Sequence, residues 1–202
     1  MTAEPDDVPR VHRLTGADLM QWQSDVGPVP QHVAAVLLLD GPRPPAGALV
    51  AVLRDRLGAV PALGRRPVRA PLGCGGWYWA DDDRDPAAHV GVERVPGDDV
   101  HDVLDAATRC LLERLPAGRS PWRARVLVGP DGAPVALVVV LHHVLADGVT
   151  GLALLGTLVD GPHPTTAPAR PVPVPPGRAA LVREAWARRL RAPGRLPSLL
   201  RA

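Results

Sequence analysis

Residues 139–152 read Val-Val-Leu-His-His-Val-Leu-Ala-Asp-Gly-Val-Thr-Gly-Leu. His142 and His143 close a run of valine and leucine, and Asp147 and Gly148 follow within five residues. An imidazole can take a proton from a hydroxyl near neutral pH, which is the work of a general base. At the end of a core strand it is held rigidly and is still within reach of a substrate. Neighbouring strand residues face opposite sides of a sheet. The two imidazoles are therefore expected to divide the work: one faces the site and the other packs against it or braces it. Asp147 can hydrogen-bond an imidazole or lock the loop through an arginine. Gly148 permits a tight backbone where the next helix starts. Zinc fits poorly, because its ligands converge and adjacent strand histidines diverge. A serine nucleophile is not indicated: none of Ser24, Ser120 and Ser198 sits in a G-x-S-x-G elbow. The Gly-Cys-Gly-Gly at 73–76 lacks the lysine of a phosphate loop and reads as a turn. The acidic run 81–85 reads as a solvated loop.

The elements that must position these residues follow from local pattern. "WRARVLVGPDGAPVALVVVL" places Pro-Asp-Gly between two apolar runs, which predicts a β-hairpin over about 123–141. Its first strand alternates Arg123 and Arg125 with Ala124 and Val126. Its second is apolar throughout and is expected to be central. Residues 31–40 read as a buried strand, and two short strands are expected in "RRPVRAPL" and "GWYWA". Thr15, three residues before Asp18, resembles a capping box and predicts a helix starting near Gly16. A second helix is expected over 48–60, facing inward with Leu49, Val52, Leu53 and Leu57. A third is expected over 98–115, with Val103, Leu104, Ala107, Leu111 and Leu115 on one side. A further helix suits 148–160.

Composition bounds the rest. The chain has 202 residues and is 46% hydrophobic, enough for a real core. It lacks Phe, Ile, Lys and Asn, so Val, Leu and Ala must fill that core. Residues 1–160 carry 15 Arg against 20 acids, a balance of −5; residues 161–202 carry 8 Arg against Glu184 alone, a balance of +7. The organisation expected is a lobe over 1–160, a proline-rich linker over 161–177 and a basic amphipathic helical tail over 178–202. That tail could lie on an anionic membrane or lipid-droplet surface with Leu181, Trp186 and Leu190 inserted. An acidic body argues against nucleic-acid binding. Two cysteines without C-x-x-C spacing suggest no disulfide framework, and the acidic N-terminus is not a signal peptide. A soluble, cytoplasmic protein is expected, peripheral at most to a membrane.

His142-His143-x-x-x-Asp147-Gly148 resembles the signature of the coenzyme A-dependent acyltransferase superfamily. "LTGADLMQWQSDVGPVPQHVAAVLLLDG", "WYWADDDRDPAAHV" and "GRSPW" before the hairpin narrow this. They look like the N-terminal lobe of the wax ester synthase/diacylglycerol acyltransferase family, over roughly residues 12–160. The resemblance implies an α/β fold: one chloramphenicol-acetyltransferase-like lobe, a mixed and mostly antiparallel sheet with helices packed on it. It implies His143 as general base, His142 as a brace and Asp147 as a structural aspartate. It also implies that Gly148 keeps room near the ligand channel. Ser120, Pro121 and Trp122 match the family's Pro-Leu-Trp position; for Trp122, core packing is favoured over substrate contact. The family's Phe-Asp before His-Val is here Arg84-Asp85. The substrates implied are acyl-CoA and a diacylglycerol or long-chain alcohol, with no cofactor and no metal. Family members are about twice this long, so the expected activity is that of an O-acyltransferase truncated to one lobe. The alternative is a catalytically inactive half-lobe that binds lipid or acyl-CoA. Or it pairs with a separate C-terminal lobe in trans; a homodimer is the other partner expected, one lobe rebuilding the tunnel in an active enzyme.

Overall fold

The computed structural model describes residues 11–82, 85–145, 151, 154, 156–158 and 176–191. Its centre is the hairpin of β5 (Trp122–Val128) and β6 (Pro134–His142). The turn between them is closed by the Gly132 N–H donating to the Gly129 carbonyl at 3.0 Å. Gly132 then takes a φ of 83°, the left-handed conformation that a glycine adopts without steric cost. All nine residues of β6 are buried. β1 (His32–Leu38) pairs antiparallel on one side of β6, with His32 opposite His142. β4 (Val90–Arg94) pairs parallel to β5, giving the order β1-β6-β5-β4. This is the mixed, mostly antiparallel sheet expected. β4 itself was not foreseen; Val90 and Val92 alternate with Gly91 and Glu93 in sequence, but only Val90 is buried and Val92 is exposed.

Helices cover both faces of this sheet. α2 (Ala46–Gly58) buries Val50, Leu53 and Leu57 against Val126, Leu137, Val139 and Leu141. α3 (Val100–Leu112) buries Val103, Ala106, Ala107 and Cys110 against Ala136, Val138 and Val140. The side chains of β6 thus serve two cores by turns, which explains its unbroken apolar run. The predicted inward faces need rotation: Val52 is 40% exposed and Leu104 49% exposed, while Val50 and Cys110 point inward. β1 is an edge strand with no buried residue, not the fully buried strand expected.

α1 (Gly16–Ser24) begins with the predicted capping box. Thr15 accepts from the Asp18 N–H, and Asp18 accepts from the Thr15 N–H. β2 (Arg65–Arg69) and β3 (Trp77–Asp81) form a separate two-stranded sheet. The turn between them uses Gly73 and Gly75 at positive φ, and the Arg13 guanidinium pins it by donating to the Cys74 carbonyl at 2.8 Å. α4 (Arg178–Arg191) packs on this small sheet. Leu181, 2% exposed, shares a cluster with Ala70, Cys74, Tyr78 and Ala80, and Glu184 pairs with Arg13 at 2.6 Å. Leu181 is therefore not available for insertion into a lipid surface; Trp186 and Leu190, at 54% and 75% exposed, are. The proline-rich 161–175 and most of the predicted helix 148–160 lie outside the described residues.

Candidate active site

β6 ends at His142, and a 3-10 turn, His143–Leu145, follows at once. The chain leaves the strand between the two histidines, so strand alternation does not govern His143. His142 is 2% exposed. Its Nδ1 accepts the Val144 N–H at 3.0 Å, so a neutral ring carries its proton on Nε2. Nε2 lies 3.5 Å from Asp25 Oδ2, an electrostatic contact too long for a strong hydrogen bond. Trp22 of α1 covers the ring at 4.9 Å between centroids, and His32 stands 6.0 Å away. Burial holds the His142 imidazole at a pKa of about 4; Asp25 works in the opposite direction, and His32 and His143 reinforce the burial. His142 is thus a neutral, locked ring, which fits the bracing role.

His143 is half-buried. Its backbone N–H donates to the Gln31 carbonyl at 2.8 Å. Its Nδ1 is buried and has no hydrogen-bond partner among the described residues. Buried polar atoms in folded proteins nearly always have partners, so an orphan nitrogen at the end of a core strand calls for an explanation in function. Asp147 and Gly148 lie outside the described residues.

Trp122 takes the core place favoured for it over a substrate contact. It is 1% exposed, its indole N–H donates to the Leu63 carbonyl at 2.9 Å, and its ring stacks on His89 at 4.5 Å. It is a core residue. His89, also buried, faces the Trp122 carbonyl through Nδ1 at 2.9 Å and the Asp82 carboxylate through Nε2 at 3.6 Å. Asp82 in turn accepts the Ser120 N–H at 2.6 Å. So one member of the "solvated" acidic run is a buried strut of the Ser-Pro-Trp corner.

Residues that the sequence did not flag surround His142. Asp25 accepts from the Gln31 N–H at 3.1 Å and from Arg114 Nη1 at 3.2 Å. Arg114 also donates to the Gly27 carbonyl. His32 turns Nδ1 to the Leu111 carbonyl at 2.9 Å, which requires the proton there. Arg123, 4% exposed, donates to the Arg114 carbonyl at 2.7 Å and pairs with Glu113. No local motif marks Asp25: the β1–β6 register, pairing His32 with His142, brings its segment to the site.

A groove of about 230 Å³ lined by Arg13, Gly75, Gly76, Glu184, Ala185, Arg188 and Arg189 contains none of these residues.

A family model described as the wax ester synthase/diacylglycerol acyltransferase catalytic domain matches residues 14–202, well past the 160 at which the sequence resemblance was placed. A Mycobacterium tuberculosis protein named as a diacylglycerol O-acyltransferase is 30% identical over 187 residues, 89% of this chain and 39% of its own length. A second from that species, tgs1, is 31% identical over 130 residues, 63% of this chain and 28% of its own length. The chain thus spans well under half the length of these relatives. Among solved structures, the wax ester synthase/diacylglycerol acyltransferase from Marinobacter aquaeolei VT8 superposes with a TM-score of 0.58. It is 21% identical, with 82% of this chain and 41% of that one covered. The first condensation domain of the calcium-dependent antibiotic synthetase gives 0.59 at 19% identity, covering 74% and 36%.

Proposed function

Because the chain belongs to the wax ester synthase/diacylglycerol acyltransferase family, we propose that it is the base-bearing N-terminal lobe of an O-acyltransferase. It would move a fatty acyl group from acyl-CoA to a hydroxyl of diacylglycerol or a long-chain alcohol. The observation that carries this reading is His143: an imidazole at the end of a central strand, with a buried Nδ1 that has no hydrogen-bond partner among the described residues. As a neutral ring it takes the hydroxyl proton of the acceptor. The oxygen attacks the thioester carbonyl carbon, the C–S bond breaks, and the departing thiolate recovers the proton from His143. The bond changes balance without a covalent enzyme intermediate, cofactor or metal. His142 holds the backbone that carries His143. Asp147 and Gly148 are assigned to shaping the same loop on the family resemblance.

The test is release of free CoA thiol from palmitoyl-CoA with hexadecanol or diacylglycerol as acceptor, beside His143→Ala. Acceptor-dependent release lost in the variant supports the reading. No release from either protein favours the second reading, a half-lobe that needs a partner lobe. Restored release on adding a C-terminal lobe in trans would establish it.

The proposed acceptors are insoluble, and α4 presents Arg178, Arg183 and Arg189 together with exposed Trp186 and Leu190. We assign this face to peripheral contact with an anionic lipid surface.

A further inference from the structure

We infer that Asp25 is a positioning residue for both histidines, holding the His142 ring with one carboxylate oxygen and the His143 backbone, through Gln31, with the other. Oδ2 stands 3.5 Å from His142 Nε2. Oδ1 accepts the Gln31 N–H at 3.1 Å, and the Gln31 carbonyl accepts the His143 N–H at 2.8 Å. One carboxylate thus sits at the junction of two short paths that end on adjacent residues of the motif.

The chemistry of the ring gives this geometry its consequence. His142 Nδ1 receives the Val144 N–H, so only the tautomer with the proton on Nε2 fits the turn. An anionic oxygen facing Nε2 favours a hydrogen there over a lone pair. Asp25 therefore selects the tautomer, the tautomer keeps Nδ1 open for Val144, and that bond sets the turn His143–Leu145 that carries the base. Ring nitrogens oriented by a carboxylate partner recur wherever histidine must present one defined nitrogen. Burial keeps the His142 ring neutral, so the choice of tautomer is not erased by protonation.

Arg114 completes the device. It donates to Asp25 Oδ1 at 3.2 Å and to the Gly27 carbonyl, so it fixes the 25–31 segment at two points. It offsets the carboxylate charge and leaves Oδ2 directed at His142. Among the described residues, the charged and titratable groups around His142 are Asp25, His32 and His143, with Arg114 behind Asp25 and Arg123 beside His32.

The rate consequence rests on the acyl-transfer reading; the placement does not. The experiment pairs two readouts on wild type, Asp25→Ala and Asp25→Asn. The first is the ¹H–¹⁵N ring correlation spectrum of histidine-labelled protein at pH 7, which reports the His142 tautomer. The second is kcat and KM for CoA thiol release. Asn keeps an oxygen for Gln31 and Arg114 but turns an amide donor toward Nε2–H, so it disturbs the tautomer while sparing the loop. The wild type is expected to show Nε2–H and both variants a changed ring. Their kcat is expected to fall roughly ten- to a hundredfold with KM nearly constant. An Asp25→Asn spectrum identical to wild type overturns the inference, as does a changed spectrum with unchanged kcat in an active enzyme. If no protein, wild type included, releases CoA even with a C-terminal lobe added in trans, the acyl-transfer reading fails. The ring spectrum still decides the role of Asp25.

Discussion

At the scale of the residue, His142 concentrates the physics of the site. It is almost wholly buried, it donates nothing at Nδ1, and its pKa sits at about 4 against 6.5 in an unfolded chain. Between those values the unfolded chain binds more protons than the folded one, so stability rises with pH. Acidification from 6.5 toward 4 therefore removes stability, by about 3 kcal/mol at the lower end. Protonation would also set Nδ1–H against the Val144 N–H. His142→Asn keeps an acceptor for Val144 and cannot titrate. Urea unfolding at pH 7, 5.5 and 4 is expected to show the wild type losing that much more stability than the variant. Parallel losses in the two proteins would refute the assignment. The signature pair itself was legible in the sequence, and so was the burial of one of its imidazoles at the end of a central strand. Asp25, Trp22 and His32 were not: each touches or faces His142 only through the pairing of strands more than a hundred residues apart.

At the scale of the element, local chemistry was a good guide where local forces decide. The hairpin is marked by Pro130, Asp131 and Gly132, and the capping box by Thr15 and Asp18. Both depend on neighbours within a few residues, and both form as their spacing predicts. The reading failed where a partner from elsewhere decides. Arg123 looks like the polar side of a one-sided strand. It is buried with its guanidinium donating to the Arg114 carbonyl and paired with Glu113, so β5 is covered on both faces. Leu104 has the spacing of a core residue yet is exposed, since α3 lies on small residues, Ala106, Ala107 and Cys110, that let it approach the sheet closely. β1 has the apolar content of an inner strand, but its place at the edge leaves it half-covered. Asp82 belongs to an acidic run that reads as solvated, yet His89 and the Ser120 N–H hold it inside.

At the scale of the whole molecule, the chain returns on itself. α4 follows a proline-rich stretch and still docks on the sheet built near the N-terminus, so it is part of the lobe's packing and not a loose tail. Its only acid, Glu184, is taken up by Arg13, and Arg189 lies over the Trp186 ring at 5.6 Å. The outward face is therefore cationic with an aromatic at its centre. Sedimentation with phosphatidylglycerol vesicles is expected to carry the protein down at low salt and to release it as ionic strength rises. Arg183→Glu with Arg189→Glu should abolish the effect, and equal binding to phosphatidylcholine vesicles would count against it. Among described residues no helix is long and apolar enough to cross a membrane. The docking of α4 also turns one thiol into a gauge. Cys74, 1% exposed, shares its cluster with Leu181, while Cys110 is buried beside Glu93 with its pKa pushed up to about 12. An alkylating reagent at mild pH therefore has one thiol within its reach, and only while α4 is lifted away. Leu181→Ala should speed that modification. Its rate in the native protein would time the opening of the helix without any label being added.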